Sequence, residues 1–86
     1  MSAERVAQIR ALLEARLVPE QLEVIDESHL HVGHAGARDG RGHFRIRIGC
    51  SSFAGKPRLA RHRMIYDALG EMMDTDIHAL AIEEYS

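Results

Sequence analysis

A chain of 86 residues with a formal net charge of −2 is suited to a single small globular domain, which we take to span residues 1–86. That charge excludes recognition of a polyanion by bulk electrostatics. One cysteine, Cys50, excludes an internal disulfide and favours a reducing, cytoplasmic compartment. No apolar run approaches the ~20 residues that cross a bilayer, and the N-terminus has no signal-peptide core, so we expect no membrane association.

The N-terminal segment has the periodicity of a helix. Ser2 is placed to cap it, and Pro19 disfavours helical backbone at Val18, so the helix is predicted to end near Arg16 or Leu17. Apolar side chains recur at helical spacing along it: Val6, Ile9, Leu12, Leu13 and Leu17.

Two strands are predicted next, separated by a long loop. Residues 22–26 alternate as a short strand, residues 27–42 are rich in glycine and histidine without periodicity, and residues 43–50 alternate clearly. One side of this second strand is apolar: Phe44, Ile46, Ile48 and Cys50. The other side is basic: His43, Arg45 and Arg47. Cys50 is therefore interpreted as a small packing residue.

After a turn at residues 51–55, a second helix is predicted with Pro57 near its first position. Its core-facing side chains are Ile65, Ala68, Leu69, Met72 and Met73. The helix is predicted to end at residues 74–76, and residues 77–83 form a third strand.

The order helix, strand, strand, helix, strand predicts a small α+β domain. A strand–helix–strand connection gives parallel strands, so the last two strands should be parallel and the first two antiparallel. Both helices are needed to cover one face of this three-stranded mixed sheet.

Histidine is the most informative residue type. The chain has six, and four lie between residues 29 and 43. Imidazole titrates near neutral pH and binds transition metals, but polar loops also contain histidine without function. His78, in phase with Leu80 and Ile82, is either a packed strand histidine or a lone ligand near the loop carrying His31 and His34. If a metal binds, another molecule should supply the remaining ligands.

Basic residues crowd the start of the second helix: Lys56, Arg58, Arg61, His62 and Arg63. This arrangement opposes the helix dipole, which favours anions at the N-terminus. Such a helix start suits phosphate or an acidic partner surface. The alternative is a solvated face on which Arg63 pairs with Asp67.

Five short blocks in this order resemble the BolA family over residues 22–82. They are Asp26-Glu27-Ser28, Gly42-His43-Phe44, Phe53-Ala54-Gly55-Lys56, Arg61-His62-Arg63-Met64-Ile65-Tyr66 and Ile77-His78-Ala79-Leu80. The resemblance implies a fold akin to the class II KH domain. The GXXG loop of KH domains is absent, so RNA binding is not carried over with the fold.

The resemblance also implies a function in iron–sulfur cluster handling. Family members partner monothiol glutaredoxins and share a [2Fe–2S] cluster with the glutaredoxin and glutathione. The position of His78 would supply one ligand from this chain, and a loop residue would supply the second. His31 matches that loop position by its distance from residues 26–28, and His34 remains the alternative.

Some family members bind promoter DNA, which the resemblance ties to the second helix. A DNA-binding transcriptional regulator is then the alternative function, with phosphate contacts from Lys56, Arg58, Arg61, His62 and Arg63. Docking of the glutaredoxin is the other use of the same basic surface, and the sequence does not separate the two. No residues have an arrangement suited to catalysis, so we expect no enzyme activity. We expect the free chain to be a monomer.

Overall fold

A computed structural model of the chain describes residues 2–28 and 41–85. Its elements run in the predicted order: α1 (Ser2–Leu17), β1 (Gln21–Asp26), β2 (Gly42–Gly49), α2 (Arg58–Leu69), a short α3 (Met72–Thr75) and β3 (Ile77–Glu84). A 3-10 turn at Ser51–Phe53 follows β2. Within the described ranges, no helix has the length and apolar character needed to cross a membrane.

The three strands form one mixed sheet with β2 in the centre. β1 pairs with β2 in antiparallel fashion, with Val24 opposite Ile46, and β3 pairs with β2 in parallel, with Ile82 beside Ile46. The predicted topology of an α+β domain is therefore confirmed. The connection through α2 returns the chain to the other edge of β2, which allows the parallel pairing.

Both helices pack on the same face of the sheet. One buried cluster unites residues from α1, β2, the 3-10 turn, α2 and β3: Ile9, Leu13, Phe44, Ile46, Ile48, Phe53, Ile65, Ala68, Leu69 and Ile77. Cys50 packs against its edge, and its Sγ donates to the carbonyl oxygen of Leu17 at 3.1 Å. Its predicted role as a packing residue is confirmed.

The second helix ends earlier than the sequence pattern predicts. α2 stops at Leu69 because Gly70 adopts φ 55, a left-handed conformation that glycine reaches without steric cost. Met72 and Met73 therefore belong to α3, although both still pack against the core. Arg16 of α1 donates to the carbonyl oxygen of Ala68 at 2.9 Å, which satisfies one free acceptor at the end of α2.

The first helix ends as predicted at Leu17, but it begins at Ser2 itself rather than after it. The chain leaves this helix through Val18, whose φ of 49 lies in the left-handed region. A β-branched residue is rarely found there, because its Cβ crowds the following carbonyl oxygen. Val18 is also 71% exposed, so little burial offsets that strain.

Replacing Val18 with glycine should therefore stabilise the protein. We expect Val18→Gly to raise the free energy of unfolding by about 1 kcal/mol and the Tm by about 4–8 °C, because glycine removes the clash at positive φ. Calorimetry or thermal circular dichroism measures the change. Val18→Ala is the control, because alanine keeps the Cβ and should gain nothing. A glycine variant no more stable than the alanine variant would contradict the assigned strain.

Candidate functional site

The predicted functional residues fall into two groups at opposite ends of β3. His78 lies at the beginning of this strand, whereas Arg61 and His62 contact Glu84 at its end. Glu84 follows His78 by six positions of extended chain, or about 20 Å. His31 and His34, the two candidate loop ligands, lie outside the described residues.

A β-bulge places the side chain of His78. The parallel register runs from Gly42 beside Ile77 to His43 beside Ala79, so His78 is the extra residue of β3. Without the bulge, His78 would share the core-facing side with Leu80, as the sequence pattern predicts. Instead Ile77 is buried in the core and His78 is exposed. Bulges often redirect a side chain next to a functional site.

His78 has two neighbours in the structure that the sequence did not pair with it. The ring centroids of His43 and His78 lie 5.1 Å apart at an interplanar angle of 54°. Nη2 of Arg41 lies 3.2 Å from Nδ1 of His78. A guanidinium only donates hydrogen bonds, so Nδ1 is the acceptor and a neutral ring carries its proton on Nε2. The sequence pattern placed His43 on the solvent side of the sheet, but it is only 8% exposed.

Both polar groups of the His43 backbone are hydrogen-bonded. Its N–H donates to Oγ of Ser28 at 3.0 Å, and its carbonyl oxygen accepts from the N–H of Glu27 at 2.8 Å. The preceding residue must be glycine, because a Cβ at Gly42 would lie 2.6 Å from the Phe44 ring. The backbone of His43 is therefore held in place, and its largely buried imidazole lies beside the ring of His78.

A shallow pocket of about 230 Å³ adjoins this histidine pair. Its lining is formed by Glu27, His43, Phe44, Arg45, Ala79, Leu80 and Ala81. The small alanines of β3 leave this space open beside the larger side chains of β2. The volume is below the range of about 300–1,000 Å³ that is usual for small-molecule sites, so it suits one side chain of a partner better than a whole ligand.

The uncovered face of the sheet carries an ion-pair network rather than a free basic surface. Arg45 contacts Glu27 at 2.8 Å and Glu83 at 2.5 Å, while Arg47 contacts Glu83 at 2.9 Å and Glu23 at 3.3 Å. The hydrogen bond from Arg47, aided by Arg45, holds the pKa of Glu83 below its ordinary value despite partial desolvation. Both arginines are thus neutralised locally, which leaves this face with little net charge.

The basic start of α2 is partly neutralised in the same way. Nε and Nη2 of Arg61 contact the two carboxylate oxygens of Glu84 at 2.5 and 3.3 Å, and Nε2 of His62 lies 3.3 Å from the same carboxylate. Burial opposes ionisation of Glu84, but Arg61 and His62 together hold its pKa below the ordinary value. These contacts join α2 to the end of β3.

The remaining three cations of this group are Lys56, Arg58 and Arg63. All three are exposed, and none forms an ion pair with another described residue. The alternative pairing of Arg63 with Asp67 is wrong for this structure, since no such ion pair forms between them. Of the five residues in the predicted basic patch, three therefore have no ion pair with a described residue.

The described part of the chain does not hold a complete metal site. Among residues 2–28 and 41–85, no three His, Cys, Asp or Glu side chains lie close enough together to bind a metal ion. His78 is an exposed imidazole at the same end of the sheet as Ser28 and Arg41, which flank residues 29–40.

A protein-family model described as BolA-like protein matches residues 13–86. The chain belongs to the BolA-like family. This match confirms the resemblance carried by the five sequence blocks, and the structural similarity to a solved BolA domain confirms the fold.

Two curated relatives and one solved structure illustrate the similarity. The chain is 53% identical to an uncharacterized protein in the cobS 5' region of a Sinorhizobium species, covering 86% of this chain and 81% of that protein. It is 40% identical to the DNA-binding transcriptional regulator BolA of Escherichia coli K12, covering 92% and 72%. The structure of the BolA domain of SufE1 from Arabidopsis thaliana matches with a TM-score of 0.81 at 41% identity, covering 93% and 88%.

Several other curated relatives are longer, and this BolA-like chain spans between about a fifth and about a half of their length. The two curated relatives named above are an uncharacterized protein and a transcriptional regulator. Neither name describes an enzyme activity.

The ion pairs of Glu83 predict a specific acid sensitivity. Because the folded-state pKa of Glu83 lies below its ordinary value of 4.5, its contribution to stability is present above that pH and is lost as the pH falls through the folded-state pKa. We therefore expect Glu83→Gln to lower the Tm at neutral pH and to reduce the further loss of Tm on acidification.

Thermal unfolding at a series of pH values between neutrality and acid measures this difference. Glu71→Gln is the matched control, because Glu71 is exposed and forms no ion pair with a described residue. Parallel Tm–pH curves for the wild type and Glu83→Gln would show that the network on the sheet contributes nothing to acid stability.

Proposed function

We propose that this BolA-like protein is a non-enzymatic partner of a monothiol glutaredoxin, with which it shares a [2Fe–2S] cluster in iron–sulfur assembly, trafficking or sensing. The observation that carries the proposal is the exposure of His78 by the β-bulge. A strand residue in regular alternation at this position would face the core, whereas the bulge presents the imidazole to an incoming partner.

The metal ligands that this chain can offer support a site that is completed by a second protein. His78 supplies one imidazole, and residues 29–40 supply His31 or His34 as the second ligand from this chain. Ser28 and Arg41 flank that segment, and they contact His43 and His78 respectively. The described residues on either side of the segment therefore both lie beside the pair formed by His43 and His78. When bound, the cluster supplies iron that accepts a neutral imidazole nitrogen.

Binding of iron by His78 requires release of Arg41 from Nδ1. If Nδ1 is the ligand, it no longer accepts from the guanidinium. If Nε2 is the ligand, the ring proton moves to Nδ1, where it faces the Arg41 donor. Either nitrogen thus gives up the 3.2 Å contact between Arg41 and His78.

Anaerobic reconstitution with a monothiol glutaredoxin and glutathione tests the proposal. We expect a heterodimer whose absorption and EPR spectra differ from those of the glutaredoxin homodimer, and we expect His78→Ala to abolish them. His31→Ala and His34→Ala identify the loop ligand. His62→Ala is the control, because it removes an imidazole at the opposite end of β3. Wild-type mixtures that show only the homodimer spectrum would refute the shared cluster.

DNA binding is the second candidate function. It is favoured by the name of the Escherichia coli relative and by the three exposed cations Lys56, Arg58 and Arg63. Those cations would contact phosphates, which contribute affinity without sequence discrimination.

Charge reversal at the helix start tests this candidate. If Lys56 and Arg58 each contact one phosphate, the double variant Lys56→Glu, Arg58→Glu should weaken duplex binding. It should also reduce the slope of log affinity against log salt by about 1.8. Fluorescence anisotropy over a salt series measures both quantities. His78→Ala should bind DNA like the wild type, since it lies at the other end of the sheet, and an unchanged salt slope in the double variant would exclude this surface.

A further inference from the structure

The outer side of α2 carries two exposed hydrophobic residues that neither candidate function uses. Leu59 is 72% exposed and Tyr66 is 40% exposed, although both are large hydrophobic residues. Arg63 lies between them, so the three residues follow the spacing i, i+4, i+7 on one helix face. We call Leu59, Arg63 and Tyr66 the α2 stripe. Such spacing is typical of a seam that packs against another helix.

The α2 stripe points away from the proposed cluster ligand. Ile65, Ala68 and Leu69 occupy the opposite side of α2 and are buried against the sheet. His78 lies at the beginning of β3, whereas the start of α2 contacts Glu84 at the end of that strand, about 20 Å away. A partner that contacts only the His78 end would therefore leave the α2 stripe accessible.

Charge identifies the class of partner. Lys56 and Arg58 precede Leu59 in the chain, and Arg63 follows it by one helical turn. None of the three has an ion pair among the described residues, so this end of α2 is basic. An acidic surface would be complementary.

Two features favour an acidic protein over nucleic acid. The carboxylate of Glu84 is held at the helix start by Arg61 and His62, where it repels phosphate. Leu59, among the cations, gains from contact with an apolar side chain but not from contact with a phosphate backbone.

We propose that the α2 stripe docks an acidic amphipathic helix of a second protein, and that it does so while the His78 end of the molecule is occupied. The occupant presents apolar side chains to Leu59 and Tyr66 and carboxylates to Arg58 and Arg63. The chain then acts as a connector with one binding surface near each end of β3.

A peptide titration followed by NMR tests this docking surface. The probe is a synthetic amphipathic peptide of about 18 residues, or five helical turns, with leucine on one face and glutamate on the other. We expect saturable amide shifts confined to residues 56–66. Leu59→Ser and Arg63→Glu should each weaken binding about tenfold, as expected for central residues of a small interface.

Matched controls distinguish specific docking at this surface from nonspecific hydrophobic binding. Val18→Ser removes a hydrophobic residue of nearly the same exposure, 71%, that lies outside α2, and this variant should bind like the wild type. His78→Ala should also bind normally, because the two surfaces are independent. A peptide in which lysine replaces glutamate should not bind.

Three outcomes would overturn the proposal. The first is the absence of saturable shifts at a peptide concentration of about 1 mM, which marks an affinity too weak for specific docking. The second is unchanged peptide affinity in Leu59→Ser. The third is binding of a DNA duplex to residues 56–66 that does not depend on Leu59, which would make the stripe part of a phosphate-binding surface.

Discussion

The alternation of side chains along β2 is the constraint on which the rest of the molecule depends. β2 is the strand with two neighbours, and its apolar side meets both long helices at once. Phe44, Ile46 and Ile48 therefore anchor α1 and α2 to one face, while Arg45 and Arg47 hold carboxylates from both outer strands on the other. A change that reversed this alternation would remove the core and the ion-pair network together.

Glu84, at the end of β3, determines which basic residues at the start of α2 are paired. Its carboxylate accepts from Arg61 and lies beside His62, so residues that look like part of an anion-binding cluster instead fasten α2 to the sheet. Contacts of this kind offset part of the unfavourable placement of cations at a helix N-terminus. What remains outward is a mixed surface of cations and apolar side chains, which is chemically closer to a protein interface than to a phosphate clamp.

Most of the fold could be predicted from the sequence, because element order and strand alternation decide the topology of so small a domain. The early end of α2 at Leu69 was missed because Met72 and Met73 continue the apolar pattern past Gly70. The contacts of His78 with His43 and Arg41 could not be predicted either, since they depend on a bulge in the parallel pairing. Long-range ion pairs such as that between Arg61 and Glu84 likewise could not be predicted, because they depend on how α2 and β3 are placed in the fold.

The bulge at His78 also bears on how such a domain can diversify. Core packing at the beginning of β3 is supplied by Ile77, and the ladder resumes at Ala79, so the side chain at position 78 makes no contribution to the buried cluster. Selection can therefore act on the chemistry of this position separately from selection on folding. Exchange of the imidazole for another side chain would change the chemistry of this surface and leave the core intact, which gives a family built on this sheet freedom to vary that position alone.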